Sequence, residues 1–104
     1  MTWYKFTATK EQAFTIDTQY LPMQHAYNSH LYMRDGYTWE FWQIPMNTIP
    51  IPATSVYYFK SNHDNFTKNV VRDMPNPELL SDEPDLTGFV CYTGGSNGVS
   101  SRND

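Results

Sequence analysis

A single cysteine, Cys91, stands in the 104 residues of this chain, so an internal disulfide is excluded. The histidines are His25, His30 and His63, and with Asp35 they match no known metal-ligand spacing. No metal and no cofactor is therefore expected. The longest apolar stretches fall far short of the ~18 residues of a membrane span, and the opening MTWYKFTATK lacks the basic-then-apolar order of an export signal. The expectation is a soluble, cytoplasmic protein without a membrane partner, in which the sequon Asn65-Phe66-Thr67 is a chance match.

Basic residues are also scarce. Residues 1–72 carry six basic and five acidic side chains, whereas residues 73–104 carry one basic and six acidic. Nucleic-acid binders display a basic stripe that displaces counterions from phosphates, and no such stripe exists here. No nucleic-acid partner is expected.

Reaction signatures are missing too. Cys91, His63 and Asp64 have the residue types of a thiol nucleophile, base and orienter, but no elbow or oxyanion-hole pattern accompanies them. Asp35 and Glu40 form a carboxylate pair in composition only, because Asp35 is consumed by a turn. Gly94-Gly95-Ser96-Asn97-Gly98 is not followed by the Lys-Ser/Thr and helix of a phosphate cradle. These absences predict a non-enzymatic protein, with a small carbohydrate- or nucleotide-acting enzyme as a distant alternative.

What the chain does have is aromatic residues: three Trp, eight Tyr and six Phe. They concentrate in Ser29 to Ile44, where Asp35-Gly36 suits the positive φ values of a type I′ turn and predicts a β-hairpin. A two-residue loop sets Arg34 opposite Tyr37, Tyr32 opposite Trp39 and His30 opposite Phe41 on one face. The other face then carries Leu31, Met33, Trp42 and Ile44 and is expected to meet the core. Tyr, Trp and Arg dominate protein-binding surfaces. Tyr32, Arg34, Tyr37, Trp39 and Phe41, joined by Ile49 and Ile51 of the proline-rich stretch Pro45 to Pro52, are thus the candidate partner-binding residues, with Trp39 at their centre.

Elsewhere, alternation predicts strands over Thr2 to Ala8, Ala53 to Lys60 and Leu86 to Thr93, with Ala53 to Lys60 central because both its sides are apolar. Thr9-Lys10-Glu11-Gln12 fits a capping box and predicts a helix from Lys10 to about Gln19, against a competing strand that the β-branched Thr15, Ile16 and Thr18 favour. Asp64 is placed as the cap of a helix over 65–73 with Phe66, Val70, Val71 and Met74 as its apolar stripe. Glu78 to Asp85 reads as an acidic connection, Gly88 as a bulge, and residues 94–104 as a flexible tail after a globular domain over 1–93. The fold class is α+β, an antiparallel sheet of about five strands with one or two helices on one face; an all-β sandwich is the alternative. The predicted function is a small protein-binding module, such as an inhibitor or accessory protein of viral or mobile-element type. A self-assembling structural subunit is the runner-up.

Overall fold

The computed structural model describes residues 2–20, 38–44 and 54–94. They form β1 (Trp3–Thr9), α1 (Lys10–Tyr20), β2 (Trp39–Gln43), β3 (Thr54–Ser61), α2 (Asp64–Arg72), β4 (Glu78–Leu80) and β5 (Val90–Gly94). The five strands make one antiparallel sheet in the order β4-β1-β3-β2-β5, and both helices pack on the same side of it. The α+β class is as the sequence predicts. The first six elements follow a split βαβ arrangement, to which β5 is added beside β2.

Strand register decides which residues share a side. Tyr4, Phe59, Phe41 and Tyr92 lie in one row across β1, β3, β2 and β5, and Phe6, Tyr57, Gln43 and Val90 lie in the next. These rows face the helices. Phe6, Phe41, Tyr57 and Phe59 are fully buried there, with ring centroids 5.6 to 6.5 Å apart in tilted and edge-on pairs, geometries that suit aromatic quadrupoles. The central place of β3 follows from its composition, since it offers Tyr57 and Phe59 to the helix side and Val56, Tyr58 and Lys60 to the other.

The helices begin where local chemistry starts them. Thr9 N donates to Gln12 Oε1 at 2.9 Å while Gln12 N donates to Thr9 Oγ1 at 3.2 Å, a reciprocal capping box that settles the competition between helix and strand over 10–20. Ala13 and Ile16 then point at the sheet. For α2 the cap is His63, not Asp64: His63 is extended, and its Nδ1 accepts from Phe66 N at 3.2 Å. Asp64 becomes the first-turn acid, where the helix dipole favours it. Val70 and Met74 are buried and Phe66 and Val71 pack beside them, as the predicted stripe requires.

Three expectations need correction. First, β2 is flanked by β3 on one edge and β5 on the other, so Trp39 faces Ser61 and Gly94 and Phe41 faces Phe59 and Tyr92. The hairpin register that pairs them with Tyr32 and His30 is not available. Second, Glu78–Leu80 is an edge strand and not a turn; the prolines at 75 and 77 hide it in the sequence, yet they frame it in the fold. Between them Asn76 takes a positive φ of 48° and its Nδ2 donates to Thr7 O at 2.9 Å, which ties the segment to β1. Third, Gly88 lies in a turn ahead of β5, at φ 84°, where a side chain is strained.

Candidate protein-interaction surface

Trp39 and Phe41, the centre of the predicted site, are core residues: Trp39 is 6% exposed and Phe41 0%. The faces of β2 are reversed relative to expectation. Trp42 and Ile44, assigned to the core by sequence, are half-buried on or beside the helix-free side. The cause is that a strand rich in aromatics on both sides gives no polar face to mark solvent, so alternation alone leaves the inward side undecided. Tyr32, Arg34, Tyr37, Ile49 and Ile51 lie outside the described residues.

The helix-free side carries Trp3, Lys5, Val56, Tyr58, Lys60, Glu40, Trp42 and Cys91, as register requires. Lys60 Nζ lies 4.7 Å from the Trp3 ring centroid and 3.6 Å from Glu40 Oε2, and Trp42 Nε1 donates to Glu40 Oε1 at 2.9 Å. These contacts hold the two long side chains flat on the sheet. Because β4 and β5 occupy opposite edges, residues 81–89 must cross the sheet to join them. The Phe89 ring, 5.2 Å from that of Tyr58, shows that the crossing runs over the helix-free side. This strap and its flanks bear exposed acids at Glu78, Asp82, Glu83 and Asp85, and no Lys or Arg occurs from Asp73 to Gly94. Asp85 accepts from the Thr87 hydroxyl at 2.7 Å and from Thr87 N at 3.0 Å, and those bonds hold its carboxyl below the usual carboxylate range, so the strap stays charged.

Two large apolar side chains are strongly exposed among the described residues, Leu79 on β4 at 63% and Phe14 on α1 at 66%. Leu79 adjoins Tyr4 across the β1–β4 ladder. Tyr4 also lines a cleft of about 180 Å³ with Thr2, Ser61, Asn62, Asp64 and Lys68, at the helix-side end of β1 and β3.

A polar cluster lies beneath α1. Tyr57 donates its hydroxyl hydrogen to Asp17 Oδ1 at 2.9 Å, and Gln43 Nε2 donates to Tyr92 Oη at 3.1 Å. Burial raises the Asp17 carboxyl above its ordinary range, partly offset by the Tyr57 bond, and burial likewise raises the Tyr57 and Tyr92 phenols. Asp17 Oδ2, Gln43 Oε1 and the Trp39 Nε1 group are buried and have no hydrogen-bond partner among the described residues.

The Cys91, His63 and Asp64 side chains are not brought together, and His25, His30 and Asp35 lie outside the described residues. Cys91 is buried on the helix-free side against Trp42, whereas His63 caps α2, which packs on the other side. Among the described residues no group of three or more His, Cys, Asp or Glu side chains could hold a metal ion, and no helix is long and apolar enough to cross a membrane. No protein-family model, curated protein or solved structure matches this chain.

Proposed function

We propose that this chain is a small, non-enzymatic protein-binding module that meets its partner through the β4 edge. The observation that carries the reading is Leu79, a large apolar side chain left 63% exposed beside the acids Glu78, Asp82 and Glu83. An apolar anchor ringed by charge is the make-up of a protein-interaction surface, in which the anchor supplies affinity and the charges supply orientation. A single such residue on a free surface would not by itself require explanation. Here it stands on a pinned edge strand, next to a cleft. An inhibitor or accessory protein of viral or mobile-element type, acting in the cytoplasm, is the biological form of this reading. Its support is a single, buried thiol with no second cysteine to pair with.

Chemical cross-linking of the purified chain to partners from its own source, with mass spectrometry of the linked peptides, tests the proposal. Links from residues 78–85 to one protein support it. If light scattering shows a concentration-dependent oligomer and all links are between copies of this chain, the self-assembling subunit takes its place.

A further inference from the structure

The exposed edge of β4 identifies the kind of segment a partner would bring, an inference that rests on the protein-binding reading above. We propose that this edge receives an extended, lysine- or arginine-bearing segment of a partner protein, which adds to the sheet as a further strand.

The edge is open. Among the described residues no strand pairs with the outer side of β4, and Glu78 and Leu79 are exposed while Leu80 is half-buried. A strand in that position has backbone N–H and C=O groups turned outward, and these are the usual template for strand addition. The edge is also set in advance. Asn76 anchors it to Thr7 O, and Pro75 and Pro77 restrict the chain that leads into it, so little conformational freedom remains to be lost on binding.

Charge selects the occupant. Glu78, Asp82 and Glu83 are exposed, and none is in an ion pair among the described residues; Lys5, across the ladder from Glu78, does not close on it. A second copy of this chain would bring the same acids against them, and like charges directly opposite are destabilising. Acidic residues, neighbouring prolines and a short strand are the devices that keep sheet edges from pairing indiscriminately. A basic segment neutralises that guard, whereas this acidic chain cannot. Side chains alternate along the incoming strand, so the one beside Leu79 points to the helix side, toward Tyr4 and the cleft that it lines. An apolar residue at that position with basic residues on either side fits the pattern.

The test is a nitrogen-15 NMR titration of the full chain with an acetylated, amidated heptapeptide alternating lysine and valine. Two controls accompany it: the glutamate–valine counterpart, and a lysine–valine peptide N-methylated at alternate residues, which keeps the charge but cannot pair as a strand. The expected result is saturable shifts confined to residues 76–83 and their β1 neighbours 3–5, absent with both controls. Glu78→Gln combined with Glu83→Gln should weaken binding roughly tenfold without changing the melting temperature. Equal binding of the N-methylated peptide, shifts elsewhere on the surface, or no binding overturns the proposal. Such a failure removes this edge as a strand acceptor, whereas cross-linking that finds no partner protein removes the protein-binding reading itself.

Discussion

Tyr57 and Asp17 join the sheet to α1 by a hydrogen bond of 2.9 Å, and the other oxygen of the same carboxylate, Oδ2, is buried with no partner among the described residues. Tyr57 Oη also lies 3.4 Å from Ala13 O, so the phenol touches α1 at two successive turns. Among the described residues no cation stands in the cluster that Asp17 shares with Tyr57, Tyr92 and Gln43. Burying a charge in that setting costs stability, which α1 recovers through Ala13 and Ile16.

A pH dependence follows. The Asp17 pKa in the folded chain is raised above its ordinary 3.8, so between the two values the native state holds more protons than the unfolded one. Stability from this group is full below about 3.8 and declines as pH rises through the raised pKa. Asp17→Asn keeps an oxygen to accept from Tyr57 and removes the buried charge. It should raise stability at pH 7 by about 1 kcal/mol and flatten this part of the profile. The check is the difference between the wild-type and Asp17→Asn melting curves from pH 3 to pH 8, which cancels opposing carboxylates such as Asp85. A variant less stable than wild type at pH 7 would contradict it.

Trp39 and Trp42 give the second expectation, because they lie on one strand with opposite faces. Trp39→Ala should cost about 3–5 kcal/mol, as for other buried aromatic truncations. Trp42→Ala removes a half-buried ring and its bond to Glu40 and should cost clearly less. Urea unfolding of the two variants under the same conditions distinguishes them. The reverse order would restore the face assignment expected from the sequence.

That assignment marks the boundary of what was legible in the chain. Local signals worked: the Thr9–Gln12 capping box, the Phe66–Val70–Met74 stripe and the two-sided apolar pattern of β3 each predict an element that the structure contains. Signals that depend on a neighbour did not. Whether Trp39 or Trp42 faces inward is decided by β3 and β5 on either side of β2 and by where the helices sit, none of which is local to the strand. The β4 edge was hidden for a related reason. Three residues between Pro77 and an acidic run have no periodicity to detect, and only the β1 ladder makes them a strand. Of the candidate site, Trp39 and Phe41 fall in the core and the other five residues lie outside the described residues, while the acidic bias of the C-terminal third is visible from composition alone.

The capping box gives a third expectation. Thr9→Ala removes the acceptor for Gln12 N and leaves an unpaired donor at the first turn of α1, which should destabilise the protein by about 0.5–2 kcal/mol. Thr9→Ser retains the hydroxyl and should be near neutral. Thermal melts of both variants suffice, and equal losses would show that the cap contributes nothing.

Cys91, 2% exposed on β5 beside Trp42, should react with a thiol reagent only when the sheet face opens. Labelling in native buffer is expected to be far slower than in denaturant, and slow labelling should accelerate in Phe89→Ala, which loses the contact with Tyr58. Rapid native labelling would mean that the strap does not cover this side.

The central claim is that a partner protein meets the β4 edge, and the two exposed apolar residues allow it to be tested directly. Leu79→Asp and Phe14→Asp each place a charge on a surface position, so both variants should stay folded. Affinity capture from the source of the chain, quantified by mass spectrometry against wild type, should show the cross-linked partner lost with Leu79→Asp and retained with Phe14→Asp. Retention by Leu79→Asp together with loss by Phe14→Asp would place the interface on α1 and contradict the account.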